Sequence, residues 1–137
     1  MGEQHVIGRH LVVADGDVVS VYWDGPANLE EVSAIQRIYE QRLIVHPRLF
    51  SVFQVARAHP PSLEVRKHMA KWRRTHRVAG SAIVGASLPI RAIATLYLRA
   101  TSLLGLKTWP VRFVDSEAEA QAFFDELRGP MRSAAEP

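Results

Sequence analysis

The chain contains no cysteine among its 137 residues. Disulfides, thiolate nucleophiles and thiolate metal ligands are therefore excluded. A charge-free run long enough to cross a membrane is also missing, because the most apolar stretch, residues 88–106, carries Arg91 and Arg99. Residues 1–10 lack the apolar core of a signal peptide. We therefore predict a cytoplasmic protein that is not transmembrane.

Motifs of catalysis are missing as well. There is no Gly-x-Ser-x-Gly elbow, and Gly80–Gly85 lacks the Lys-Ser/Thr that completes a phosphate-binding loop. The histidines show no metal-binding spacing, since His68 and His76 on one predicted helix stand eight residues apart. The six histidines are therefore expected at the surface. We predict that the protein is not an enzyme and has no catalytic residue, cofactor or metal site.

The pattern of apolar residues alternates between strands and helices. Residues 10–14 and 18–23 are β-rich and flank an Asp-Gly step, which typically forms a hairpin turn. Helical periodicities and apolar strands then alternate. The predicted helices begin after Asn28, Ser62, Ser87 and Ser116, and the strands between them cover residues 49–56, 78–86 and 111–114. This order, β-β-α-β-α-β-α-β-α, predicts an α/β domain with a mostly parallel five-stranded sheet, an antiparallel N-terminal strand and four helices.

Three segments carry a family resemblance. They are VVSVYWDG at residues 18–25 with the helix opened by Asn28, FQVARA at 53–58, and VRFVDSEAEA at 111–120. Together with the element order they resemble the STAS-like (SpoIIAA-like) domain, which has the anti-sigma-factor-antagonist fold. The resemblance covers residues 10–128. It implies a regulatory, non-enzymatic protein, and the broader relatives are compared with CRAL-TRIO lipid-binding domains.

Domain bounds and one candidate switch follow from the resemblance. We expect a single STAS-like domain over residues 1–130, closed by Gly129-Pro130, and a flexible tail over residues 131–137. Phosphorylatable members of the family have a serine at the start of the helix after the third strand. Ser62 stands near that place without the Asp-Ser-Ser-Gly surroundings, so it is expected to serve as a helix cap.

Charge is distributed unevenly along the chain. Residues 57–112 contain eleven Lys/Arg and one Asp/Glu. In contrast, residues 1–56 contain four Lys/Arg and seven Asp/Glu, and residues 113–137 contain two Lys/Arg and six Asp/Glu. This basic middle part of the chain indicates either an anionic partner or a fold in which it lies beside the acidic ends of the chain. Nucleic acid is disfavoured as a partner, because Trp72, the one aromatic residue of the basic helix, falls in its apolar stripe.

A ligand site is predicted at the carboxyl ends of the parallel strands, where open α/β sheets bind ligands. Arg57 and Arg91 stand near helix N-termini, a combination that suits an anion. The alternative is that both arginines pair with acidic neighbours or face solvent. The candidate site comprises Arg57, Ser62, Ser87, Arg91 and Asp115.

The helix predicted over residues 90–104 is apolar on more than one side. It packs on the sheet and a neighbouring helix, forms a homodimer interface, or covers a small apolar pocket. With the basic helix it defines a candidate interaction surface, which comprises Arg66, Lys67, Lys71, Arg73, Arg74, Leu96 and Leu103.

Two functions remain open. The first is a regulatory module that binds a protein partner or itself, and it requires an exposed apolar patch. The alternative is a domain that binds a small apolar or anionic ligand or a lipid at the carboxyl ends of the strands. It requires a mostly apolar pocket with convergent polar groups.

Overall fold

The structure is a computed structural model that describes residues 2–106 and 108–135, with residues 130–135 described by their backbone alone. Within these residues the strands are β1 (Glu3–Ile7), β2 (His10–Asp15), β3 (Val18–Gly25), β4 (Phe50–Ala58), β5 (Gly80–Val84) and β6 (Val111–Val114). The helices are α1 (Leu29–Val45), α2 (Leu63–Trp72), α3 (Leu88–Leu103) and α4 (Glu117–Ala135).

The strands form one mixed sheet in the order β1-β2-β3-β4-β5-β6. The pairs β1/β2 and β2/β3 are antiparallel, and the pairs from β3 to β6 are parallel. The predicted α/β fold with four helices is confirmed. The described sheet has six strands rather than five, because β1 precedes the predicted hairpin. Its residues Glu3, Gln4 and His5 are polar, and this conceals its strand character from a hydrophobicity pattern.

Each face of the sheet carries its own core. On one face, Val19, Val21 and Leu49 pack with the α1 side chains Ile35 and Tyr39. On the other face a second cluster forms under α4, and it includes Val18, Phe50, Val52, Ala82, Val114, Phe123 and Phe124. This arrangement follows from the alternation of side chains along β3 and β4, which sends neighbouring residues to opposite faces.

The predicted helix starts are confirmed by their capping bonds. Asn28 accepts a bond from the Glu31 backbone N–H at 2.8 Å, and the Glu31 carboxylate accepts one from the Asn28 backbone N–H at 3.0 Å. The hydroxyl groups of Ser62, Ser87 and Ser116 accept bonds from backbone N–H groups three residues later in the same way. These bonds satisfy donors that a helix start leaves free.

The last helix extends past the end predicted from the sequence. α4 continues through Gly129-Pro130 to Ala135. Proline removes one helical hydrogen bond, but here it does not stop the helix. The turn before it is fixed to the domain, because the Arg128 guanidinium donates to both carboxylate oxygens of Asp17 at 2.7 and 3.0 Å. The flexible tail over residues 131–137 stays a prediction, and residues 136 and 137 lie outside the described residues.

Two leucines offer a matched test of this core. Leu49 is fully buried, whereas Leu103 is 88% exposed. We expect Leu49→Ala to lower the free energy of unfolding by about 2–5 kcal/mol, because it leaves a cavity. Leu103→Ala should change the free energy of unfolding by less than about 0.5 kcal/mol. Urea unfolding followed by circular dichroism measures both, and equal losses would contradict this fold.

Candidate functional site

A cavity of about 250 Å³ lies between the sheet and the three helices α1, α2 and α3. The sheet provides its floor and the helices provide its walls and roof. The floor includes Trp23, Phe53, Val55 and Ile83, and the helices contribute Ile35, Tyr39, Val65, Met69, Trp72, Ile90, Ile93, Ala94 and Leu98. Nearly the whole surface of the cavity is therefore apolar.

The cavity exists because α3 does not settle onto the sheet. Thr101 is the buried residue of this helix, and its apolar residues are half-buried or exposed. The opposite face is different, because Gly80 lets α4 approach closely. A Cβ atom added at Gly80 would lie 2.6 Å from the Leu127 Cδ1 atom. One face of the sheet is thus closely packed, and the other retains a space beneath α3.

The cavity runs parallel to the strands. Gly25, Ala58 and Pro61 line it at the carboxyl end of β3 and β4. Ser81 and Trp109 line it at the opposite end, where β5 begins and the chain enters β6. The carboxyl edge of the sheet, where the sequence predicts a ligand site, therefore forms one end of this cavity.

A buried arginine occupies the other end. Arg73 is 8% exposed, and its Cζ atom lies 3.8 Å from the centre of the Trp109 ring and 5.7 Å from that of Tyr97. Such stacking is a favourable cation–π geometry. Burial lowers the pKa of Arg73, but arginine remains charged in proteins. The cavity therefore has a permanent positive charge at this end.

Further polar groups surround Arg73. The Trp109 indole N–H donates to the Ser81 hydroxyl at 2.9 Å. Burial raises the pKa of Tyr97, and the charge of Arg73 opposes that rise. The Arg73 guanidinium also lies within hydrogen-bonding reach of the Tyr97 hydroxyl, and this contact opposes the rise in the pKa of Tyr97 as well.

The five predicted ligand residues lie at the carboxyl edge of the strands, and the structure brings two of them, Arg91 and Asp115, into contact. Arg57 pairs with Asp24 at 3.4 Å, and Arg91 pairs with Asp115 at 3.7 Å. Ser62 and Ser87 cap helices. The residues that line the cavity there are immediate chain neighbours, such as Ala58, Pro61 and Ile90. The pairing with acidic neighbours is the alternative that the sequence left open.

The seven residues of the predicted interaction surface are not all at the surface. Arg66, Lys67, Lys71, Arg74, Leu96 and Leu103 are exposed, whereas Arg73 is buried. Arg73 is not a surface residue because α2 ends at Trp72, and the chain that follows places the guanidinium beneath α3. Its partner Trp109 is distant in sequence, so no local pattern indicates this burial.

One histidine departs from the expected surface position. His10 is fully buried, with its Nδ1 atom accepting a bond from the Asp24 backbone N–H at 3.0 Å and its ring edge-on to Trp23. It lies on the buried face of β2 together with Val12 and Ala14. This alternation of every second residue is the sequence signal that could have indicated its burial. It does not line the cavity. Among the residues described, no three His, Asp or Glu side chains converge as a metal site requires.

Comparison with known proteins does not indicate a function, so functional inference rests on the fold and the cavity. No protein-family model matches the chain, and no curated protein shows significant similarity to it. In the described part of the chain, no helix combines the length and apolarity needed to cross a bilayer. The STAS-like resemblance is therefore supported only at the level of an α/β fold with a mixed sheet.

The three tyrosines of the chain provide a test of these environments. Burial raises the pKa values of Tyr39 and Tyr97, and burial and the charge of Glu117 raise that of Tyr22. The unfolded chain therefore releases these protons at lower pH than the folded protein. Stability is fully present below about pH 10 and should fall as the pH rises above it.

Phenolate absorbance at 295 nm and melting temperatures at alkaline pH check this prediction. We expect no tyrosine of the folded protein to titrate with an ordinary midpoint. Tyr97→Phe should remove one step from the titration curve. Three ordinary titrations in the folded protein would contradict the described burial.

Proposed function

We propose that this protein binds, without transforming it, a small and mainly apolar molecule that carries one carboxylate. The observation that supports this function is an apolar cavity with one buried guanidinium, Arg73, at its end. This is the feature that distinguishes a ligand-binding domain from a simple interaction module. The proposal thus favours the second of the two functions considered from the sequence.

The size and lining of the cavity define the apolar part of the ligand. About 250 Å³ falls just below the range of roughly 300–1,000 Å³ that is usual for ligand pockets. A single medium-length hydrocarbon chain or a small ring system suits this volume. Each buried methylene contributes about 0.8 kcal/mol, so a short chain provides substantial affinity.

The polar end defines the head group. A guanidinium attracts a carboxylate by charge and by charged hydrogen bonds, and a low-polarity setting strengthens both. The Tyr97 hydroxyl beside it can donate a further bond. The Arg73 guanidinium stacks on the Trp109 ring, and this contact and its burial limit its freedom to move. The group is therefore preorganised, which reduces the entropy lost on binding.

The polar side chains of the cavity favour binding over catalysis. Its two serines are engaged with other partners, Ser51 with the Tyr39 hydroxyl at 2.5 Å and Ser81 with Trp109. The described lining includes no Asp or Glu. Nucleophilic catalysis needs a base within hydrogen-bond reach of the nucleophile, and neither serine has one.

A second candidate function is the regulatory interaction module implied by the STAS-like resemblance. The element order and the parallel strands support that resemblance. The exposed leucines of α3, Leu96 at 66% and Leu103 at 88%, favour a surface that meets a partner. Ligand binding beneath α3 and an interaction on its outer side are compatible.

Isothermal titration with dodecanoate and its neutral analogue dodecanol tests the proposed function. We expect Ala94→Phe, which fills the cavity, to abolish binding of both compounds. Ala92→Phe on the exposed side of the same helix is the matched control, and it should change neither affinity. Unchanged binding in Ala94→Phe would show that the ligand does not occupy the cavity.

Replacing the buried arginine tests the head group separately. Arg73→Met should weaken dodecanoate binding by about tenfold or more, because a charged hydrogen bond contributes about 1.5–3 kcal/mol. Dodecanol binding should be retained. Circular dichroism shows whether the variant is folded, and an equal loss for both compounds in folded protein would contradict the role of Arg73.

A further inference from the structure

The outer face of α3 carries a row of apolar residues that includes one arginine, Arg99. Leu88, Ala92, Leu96, Arg99 and Leu103 follow one another at steps of four, four, three and four residues, which places them along one side of a helix. The three leucines are 82%, 66% and 88% exposed. The cavity lies on the other side, lined by Ile90, Ala94 and Leu98. We refer to these five residues as the α3 stripe.

Exposed leucines in such a row call for an explanation. Single apolar residues are common on protein surfaces, but a contiguous row on one helix usually marks a contact site. Leu104, at 73% exposure, extends the apolar surface beyond the end of the helix. Within the described residues nothing covers these side chains.

The charge around the stripe identifies the kind of partner. α3 contains no acidic residue, and of its two arginines Arg91 pairs with Asp115 at 3.7 Å whereas Arg99 is exposed on the stripe. α2, which borders the same cavity, exposes Arg66, Lys67, Lys71 and Arg74. Residues 57–112 as a whole hold eleven basic residues against one acidic residue. The partner must therefore offer an apolar layer bordered by negative charge.

A second copy of the chain that pairs through its own α3 does not meet this requirement. Pairing of two α3 stripes would bring Arg99 into an interface whose partner helix also lacks acidic residues. Like charges at an interface are unfavourable. An anionic lipid surface meets both requirements, because leucines enter the boundary of the acyl region while arginines and lysines contact the phosphates.

We propose that the α3 stripe docks this protein on membranes that contain anionic phospholipids. The helix would lie flat in the interface, with its leucines towards the acyl region. The inference goes beyond the proposed ligand binding and depends on different side chains. The two proposals can therefore fail independently.

Sedimentation with vesicles tests the docking. The protein should bind vesicles of phosphatidylcholine mixed with phosphatidylserine and show little binding to vesicles of phosphatidylcholine alone. Leu96→Ser and Leu103→Ser should each weaken binding by about tenfold, because each removes a buried leucine from the interface. Ile44→Ser is the matched control, since Ile44 on α1 is 83% exposed and lies outside the stripe.

Charge reversal gives a second measurement. Arg99→Glu should weaken binding by roughly tenfold or more, since it removes a positive charge near an anionic surface and adds a negative one. Arg37→Glu on the exposed side of α1 is its control and should have a smaller effect. Added salt should weaken binding of the wild-type protein. Ala94→Phe should leave vesicle binding unchanged, which separates this result from the ligand site.

Four outcomes would overturn the proposal. The first is no binding to the anionic vesicles, and the second is equal binding to both vesicle types. The third is a dimer in light scattering that Leu96→Ser dissociates, which would make a second copy the occupant. The fourth is binding to duplex DNA that matches vesicle binding and is insensitive to Leu103→Ser, which would assign the basic surface to nucleic acid.

Discussion

Adjacent parallel strands have to be covered on both faces, and this chain covers its two faces unequally. Gly80 lets α4 pack closely against β5, with Phe124 and Phe50 filling the space between them. On the other face α3 remains above the sheet, and the space below it is closed by Arg73 stacked on Trp109. The asymmetry leaves the α4 face closely packed, whereas the other face has a core beside α1 and a cavity beneath α3.

The helix α3 connects the two proposed functions. Its inner side lines the cavity with Ile90, Ala94 and Leu98, and its outer side presents leucines to solvent. A helix that is apolar on both sides and loosely packed on the sheet suits a cover over a ligand site. If its outer side lies in a lipid interface, an apolar ligand has a short path between the membrane and the cavity.

The sequence predicted the fold well because local signals were strong. Caps at Asn28, Ser62 and Ser87 and the Asp-Gly turn fixed the element order, whereas polar β1 gave no such signal. The candidate site was harder to predict. The position of α3 above the sheet and the inward position of Arg73 depend on Trp109. Arg73 and Trp109 belong to distant segments of the chain, so no local pattern indicates their contact. The arginines predicted at the strand ends pair with acidic side chains that packing brings beside them.

The most direct test of the central claim is an NMR titration of methyl-labelled protein with dodecanoate. Our account predicts nuclear Overhauser contacts between the ligand chain and the methyl groups of Ile35, Ile83 and Ile93, which line the cavity. It also predicts a shift of the Arg73 side-chain nitrogen signals. Ligand contacts confined to the exposed methyl groups of Leu96 and Leu103, with Arg73 unchanged, would contradict a ligand site beneath α3.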